Sequence, residues 1–299
     1  MFKKVRRYLR DPYYSFGKLF LEKYPNLMPD KWFLKIIYKA YMGKELNLQD
    51  PKNYNEKLNW LKLYDRKPLY TTLVDKLAVK DYVAQKIGSE YIIPTLKVYD
   101  SAGQIILEDL PEQFVLKCNH DSGSFVICKD KETFDFEAAK QKLTACLKQD
   151  FYLLAREWPY KNVPRKIIAE QYIKDNTGEA LIDYKWFCFN GEPKIMYIGR
   201  DKGEHPTTDF FDMEFNHLPI QILDPPSEVC PDKPVQFDEM KRIASILSKD
   251  IPHVRVDFYV INNHIYFGEF TFFHLGGFSN FNDENWNELL GSWINLELK

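Results

Sequence analysis

Apolar and polar positions alternate along this chain with two different periods. Near the start the period is helical. Trp32, Phe33, Ile36, Ile37 and Tyr41 recur three or four apart, the interval at which helical side chains share a face. NYNEKLNW from Asn53 opens a second helix, and VDKLAVKDYVAQKI, residues 74–87, predicts an amphipathic helix that Gly88 stops. After Pro94 the period shortens to two. QIILEDL, QFVLKCNH and SFVICKD predict strands, so Lys117 sits on a strand–loop–strand unit built around the loop HDSGS. A helix over about 135–150 follows. A second block begins near Pro164 with the strands RKIIAEQYI and ALIDYKWFCFNGEPKIMYIGRD, the latter folded at Asn190-Gly191, the strongest hairpin signal in the chain. The proline-rich stretch 224–234 reads as a surface crossing, 236–250 as a helix, and VRVDFYVINNHIYFGEFTF as a long β-hairpin. There is no internal repeat. Strands, helix, strands, helix and hairpin in that order predict an α+β fold with largely antiparallel sheets, and argue against a doubly wound parallel one.

Composition narrows the function classes. At 299 residues the chain can build two or three packed units. A net charge of −2 weighs against a general nucleic-acid binder. The five cysteines (118, 128, 146, 188, 230) include no C-x-x-C pair and no zinc spacing, and three of them lie in apolar runs, as small buried hydrophobes of a reducing cytosol would. No apolar stretch is long enough to span a membrane, and the first residues carry no signal-peptide core. Lys3, Lys4, Arg6, Arg7 and Arg10 alternate there with aromatic and aliphatic residues. Residues 1–20 therefore read either as a basic amphipathic arm on an anionic membrane face or as a solvated helix end docked on the protein itself. The expected location is cytoplasmic, with peripheral contact at the inner membrane face as the variant.

Candidate chemistry concentrates near the C-terminal end. Strand alternation puts Arg255, Asp257 and Tyr259 on one face, and Glu269 and Thr271 share a face across the turn. Two carboxylates on neighbouring strands repel unless a cation lies between them, and hard oxygen donors suit Mg²⁺; solvated surface acids are the plainer alternative. Their register stays open. A two-residue turn at Asn262-Asn263 would send Asp257 and Glu269 to opposite faces, whereas a three-residue loop or a bulge would set them side by side. Lys117 lies in the apolar run FVLKC and either meets an anion or stands exposed beside an ordinary loop. The loop that follows, with Ser122, Gly123 and Ser124, is short enough to wrap its N–H groups round phosphate, though it is no Walker A motif. Asp183, Lys185, Arg200 and Lys202 add charge to the central strands, and Glu170 closes KIIAE. The glycines of HLGGF allow close backbone approach. His205, His217 and His264 have no catalytic partner visible in the sequence.

In this order, VDKLAVKDYV, FVLKCNHDSGSFVI, IIAEQYI, LIDYKWFCFNGEPK and VRVDFYVINNHIYFGEFTFFHLGG resemble the ATP-grasp superfamily, and within it the TupA-like ATP-grasp proteins of capsular and teichuronopeptide biosynthesis. The resemblance implies an ATP-grasp fold: a helical region over 1–72, then two α+β subdomains, 73–162 and 163–299, whose antiparallel sheets clamp ATP. It implies that Lys76, Lys117 and the loop Ser122-Gly123-Ser124 contact phosphates. Glu170, Gln171, Tyr172 and Ile173 would hold the adenine edge, and Asp183 the ribose. Lys185, Arg200 and Lys202 would be further polyphosphate contacts, Asp257 and Glu269 Mg²⁺ ligands, and Arg255 would face an acyl phosphate. Thr271 departs from the family's usual asparagine, which puts a second metal ion in question. The implied activity is ATP-dependent ligation of a carboxylate, a sugar acid or an amino acid, to an amine in surface-polysaccharide synthesis. Two other classes stand beside it: a capsular glycosyltransferase, for which Asp209 and Asp212 offer only D-x-x-D, and a non-catalytic assembly partner.

Overall fold

The computed structural model describes residues 27–175, 181–200 and 205–296; the basic arm and Lys202 lie outside them. Eight α-helices run through these residues: α1 Asp30–Met42, α2 Tyr54–Tyr64, α3 Leu69–Val74, α4 Val79–Ile87, α5 Phe136–Lys148, α6 Tyr152–Ala155, α7 Phe237–Leu247 and α8 Glu284–Ser292. The strands are β1 Thr95–Tyr99, β2 Phe114–Cys118, β3 Phe125–Cys128, β4 Ile167–Gln171, β5 Asp183–Phe189, β6 Glu192–Arg200, β7 Thr207–Phe211, β8 His217–Leu218, β9 His253–Ile261 and β10 His264–Thr271. They form two sheets, a small one ordered β1-β4-β2-β3 and a large one ordered β10-β9-β5-β6-β7-β8. Every ladder among the described residues is antiparallel, so the fold is the α+β architecture expected.

Each sheet buries one face under a helix and leaves the other for chemistry. In the small sheet Phe114, Leu116 and Cys118 point with Ile167 and Ala169 into a core shared with Leu143 of α5. The alternate positions, Val115 and Lys117, face the other way. In the large sheet Trp186, Cys188, Val254, Val256 and Phe258 pack with Phe237, Met240, Ile243, Ala244 and Leu247 of α7. Arg255 and Asp257 therefore take the opposite face. The N-terminal helices close the far side. Tyr54 of α2 meets Nε2 of buried His253 at 2.9 Å, and the His253 Nδ1 is 2.9 Å from the Cys188 carbonyl oxygen. A carbonyl only accepts, so Nδ1 carries the proton and Nε2 accepts from the tyrosine. Burial pushes the imidazole down to about 3, which keeps it neutral.

Two local expectations are corrected. Residues 74–87 are not one helix: Asp75 is extended, and its carboxylate accepts from the N–H of Leu77 and from Asn119 Nδ2, both at 2.8 Å. The aspartate side chain competes for the helix's own N–H groups, and contact with the β2–β3 loop decides the outcome. QIILEDL is not a strand but two 3₁₀ turns, Ala102–Gln104 and Leu107–Asp109, the first stabilised by a capping box between Ser101 and Gln104. β4 is hydrogen-bonded between β1 and β2.

Both Asn190-Gly191 and Asn262-Asn263 are two-residue turns with left-handed backbone at both positions, φ 51° and 85°, then 50° and 64°. The second turn alone would set Asp257 opposite Gly268. The ladder slips between Phe267 and Glu269, so Gly268 is the extra residue of a bulge and Glu269 lies opposite Asp257. A Cβ on Gly268 would sit 3.1 Å from the Asp257 carbonyl oxygen and 3.2 Å from the Tyr259 ring. Gly268→Val is expected to cost about 1–3 kcal/mol through this crowding, read as a lower denaturation midpoint; an unchanged midpoint would mean that the bulge tolerates a side chain.

Candidate active site

The face of the large sheet turned away from α7 is organised round Asp257. Register aligns Asp257 with Lys185 and with Glu269, and Arg255 with Thr271. Arg255 grips the Asp257 carboxylate with both arms, Nε to Oδ1 and Nη2 to Oδ2 at 2.7 Å each, while Lys185 Nζ reaches Oδ2 at 2.6 Å. Burial raises the Asp257 pKa, but Arg255 and Lys185 outweigh it and hold the carboxyl below its ordinary range. The remaining Arg255 donors reach Thr271 Oγ1 at 3.0 Å and His274 Nδ1 at 2.8 Å. Because Arg255 can only donate, His274 is neutral with its proton on Nε2; burial, then Arg255, push its pKa well down. Glu269 is less committed. Its nearest cation is Arg255 at 3.7 Å, and a third of its side chain is open. Asp257, Glu269 and Thr271 are oxygen donors of the kind Mg²⁺ takes, but only Glu269 is open: Arg255 and Lys185 occupy the Asp257 oxygens and Arg255 the Thr271 hydroxyl, so Mg²⁺ would have to draw those two from their present bonds. Asp183 is buried 3.7 Å from Lys185 on the same face.

The small sheet presents a cationic face. Lys117 of β2 and Lys80 of α4 hold the two oxygens of Glu170, at 2.5 and 2.6 Å. Burial raises the Glu170 pKa, yet the two lysines outweigh it and the carboxyl lies below its usual value. Lys76, in the break between α3 and α4, is half-buried and donates to the carbonyl of Asp121; burial pushes its pKa down. Asp121 also receives the Ser124 hydroxyl, while Ser122 and Gly123 stand exposed at the tip of the loop, Gly123 with φ 87°. Lys76, Lys80, Lys117 and Glu170 line one crevice with Phe267 and Gly268 of β10, so the small sheet meets the edge strand of the large one there.

The structure thus brings Lys76, Lys117, Glu170, Asp183, Lys185, Arg255, Asp257, Glu269 and Thr271 onto two facing surfaces. Arg200 and Gln171 stand apart from these surfaces, and the Glu170 carboxylate is otherwise engaged. Arg200 follows Gly199, which pairs with Asp183, so strand parity turns its side chain to the opposite face, beside Tyr184 and Cys230. The Glu170 carboxylate is engaged by two lysines and does not stand free for an adenine edge. Gln171 spends its N–H on the Pro94 carbonyl at the rim, where Tyr172 and Ile173 leave the strand. Asp209 and Asp212 do not make a metal pair: Asp209 is buried against Ser227 and His217, and Asp212 closes a turn with Asn216. Sequence reasoning passed over Lys80, Glu157 and Lys62. Lys80 was legible as the residue four after Lys76; the other two carried no signal that separates them from surface charges.

A family model described as TupA-like ATP-grasp matches residues 56–295. No curated protein matches the chain. Among solved structures, D-alanine–D-alanine ligase from Helicobacter pylori is 15% identical, over 82% of this chain and 70% of that one, with a TM-score of 0.42. D-cycloserine synthetase DcsG is 15% identical over 78% and 72%, also with a TM-score of 0.42. D-alanine–D-alanine ligase from Bacillus anthracis is 16% identical over 74% of this chain, with a TM-score of 0.36, and the chain spans only 59% of that enzyme's length. Likenesses this slight say nothing about substrate.

The lysine cluster makes its own prediction. Glu170→Gln leaves Lys80 and Lys117 without their shared anion and is expected to destabilise the fold by about 3–5 kcal/mol, measured by urea unfolding. Tripolyphosphate should restore part of the loss. In the wild type, the contribution of this depressed carboxyl is present above its unfolded value near 4.5 and fades as pH falls through the lower folded value. A variant as stable as the wild type would mean that the cluster stores no such charge imbalance.

Proposed function

The chain belongs to the TupA-like ATP-grasp family, and from that premise we propose that it is an ATP-dependent carboxylate–amine ligase. One observation carries the reading. Three buried or half-buried ammonium groups, Lys76, Lys80 and Lys117, have a single carboxylate among them and face a sheet whose acids include the half-open Glu269. A polyanion is the partner that satisfies such a surface, and a triphosphate spans several cations at once.

In this reading Lys76, Lys80 and Lys117 bind the phosphates of ATP. Asp257, Glu269 and Thr271 would hold Mg²⁺, which when bound would supply charge neutralisation on the transferring phosphoryl group. Arg255 and Lys185 orient the carboxylate substrate and counter the charge that develops on it. The substrate's carboxylate oxygen attacks the γ-phosphorus and ADP leaves. An amine nitrogen then attacks the acyl carbon, phosphate leaves with the C–O electrons, and the amine gives up a proton. The protein's part is positioning and electrostatics. No nucleophilic side chain is needed. The acid we take to be a uronic acid or an amino acid destined for a surface polysaccharide, made in the cytoplasm with residues 1–20 resting on the membrane face.

Mg-ATP should bind with measurable heat and raise the melting temperature, and a screen of sugar acids and amino acids with amines should find ADP release that depends on both. Lys117→Ala and Glu269→Gln should each lower turnover by about 10²–10³-fold, roughly 3–4 kcal/mol of barrier, with the fold intact by circular dichroism. Release of UDP from a nucleotide-sugar, with no ADP from ATP, would overturn the ligase reading in favour of a transferase.

A further inference from the structure

Between α5 and β4 the chain runs through α6 and the 3₁₀ turn Trp158–Asn162, and Glu157 opens that turn. Glu157 is only 8% exposed. Among the described residues its carboxylate receives no hydrogen bond and forms no ion pair. A carboxylate this little exposed, with no hydrogen-bond donor of the protein on it, calls for a partner that brings one. The nearest cation, Lys62 of α2, is already committed. Its wholly buried ammonium donates to the carbonyls of Ala155 at 2.8 Å and Gly276 at 2.5 Å and to Asn59 Oδ1 at 3.2 Å.

Those same bonds place Glu157. Ala155, two residues before it, is tied through Lys62 to Gly276, and Gly276 follows closely on His274, the partner of Arg255. From the other side the Trp158 ring lies 6.0 Å from Tyr70, which stacks at 4.4 Å on Phe272, the residue after Thr271. Glu157 is thereby fixed at the Arg255–Thr271 end of the large sheet. The charges within its electrostatic reach are Lys62, Arg255 and Glu269, and Tyr160, the next titratable group along the turn, shares Arg255 and Glu269 with it. Burial raises the Glu157 carboxyl against the pull of Lys62 and Arg255.

We propose that Glu157 is the docking point for the amine substrate, seating an ammonium or amine beside the acid held at Arg255. The proposal rests on the ligase reading, since it assigns the second substrate of that reaction. A carboxylate is acceptor-only, so its natural partner is a donor, and a cationic one offsets the buried charge. Lys62 cannot swing to it without abandoning three acceptors. Four of the five Arg255 N–H donors go to Asp257, Thr271 and His274, and none reaches Glu157. One isolated carboxylate suits the N–H donors of an amine better than a metal ion that needs several oxygens. Its place next to the acid site also meets the need to bring nucleophile and acyl carbon within about 3–3.5 Å of each other.

Hydroxylamine separates the two halves of the reaction, because it is small and uncharged at neutral pH and traps an activated acid as a hydroxamate without needing an anionic seat. The full chain is assayed with Mg-ATP, with D-glucuronate, D-galacturonate and the proteinogenic amino acids as acids, and with either hydroxylamine or amino acids as nucleophiles. Glu157→Gln should form hydroxamate at close to the wild-type rate with an unchanged KM for ATP, while its KM for the amine rises tenfold or more. Glu157→Asp should recover part of that loss. Because the glutamine also removes the charge that faces the buried Lys62, the fold of the variant is checked by circular dichroism. A wild-type KM for the amine in Glu157→Gln overturns the proposal, and so does a parallel loss of hydroxamate formation in a folded variant. A wild-type protein that makes no hydroxamate from any acid overturns the ligase reading itself, and the amine site falls with it.

Discussion

Asp257 sits in the middle of the large sheet with almost none of its surface in water. A carboxylate can be ionised there only with cations on both oxygens, and meeting that need orders its neighbours one after another. Lys185 comes from β5 on one side, and Arg255 from the same strand two residues away. The donors that Arg255 has left fix Thr271 at the end of β10 and His274 just beyond it. His274 begins the loop to Gly277, where Leu275, Gly276 and Gly277 all take left-handed backbone. Such a loop persists only when its surroundings hold it. Lys62 and Asn59 of α2 do so through the carbonyls of Gly276 and Gly277. The N-terminal helices are thus part of the site's construction, and not an appendage to it.

The small sheet follows the same rule with the opposite sign. Three ammonium groups, Lys76, Lys80 and Lys117, stand against one carboxylate, Glu170; across the crevice three carboxylates, Asp183, Asp257 and Glu269, stand against Lys185 and Arg255. One face carries a surplus of positive charge and the other a surplus of negative. A polyanion seated on the lysines, bridged by a divalent cation to the acids, would complete both at once. This is the electrostatic sense of bringing two sheets together over a nucleotide, and it accounts for why burial, which pushes Lys76 and Lys80 toward neutrality, is tolerated there.

Close approach of backbone makes the arrangement possible at two places. Gly277 could not carry a Cβ without meeting Asn59 Nδ2 at 2.9 Å, so the loop lies directly on α2. Gly268 carries the bulge that shifts Glu269 into line with Asp257. In both cases a missing side chain sets the position of a charged one.

Much of this was legible in the sequence. Alternation within FVLKC and VRVDF put Lys117, Arg255 and Asp257 on the faces they occupy, and the two Asn-led turns and the Asn53 capping box close the elements where expected. These are local properties: which face a side chain takes inside its own strand or helix depends on neighbours a few residues away. Other features were decided only by pairing. The register of β5 against β6 turned Arg200 away from the site, and β4 came to lie between β1 and β2 in the small sheet. The sequence left a bulge open as one of two ways to align the acids, and the ladder chose it. Lys62, in an ordinary amphipathic helix, and Glu157, in a linker, look like surface charges until the chain brings residue 276 onto residue 62. That contact spans 214 positions, and no periodicity in a short window can encode it, because the partner's place is set by the packing of everything between.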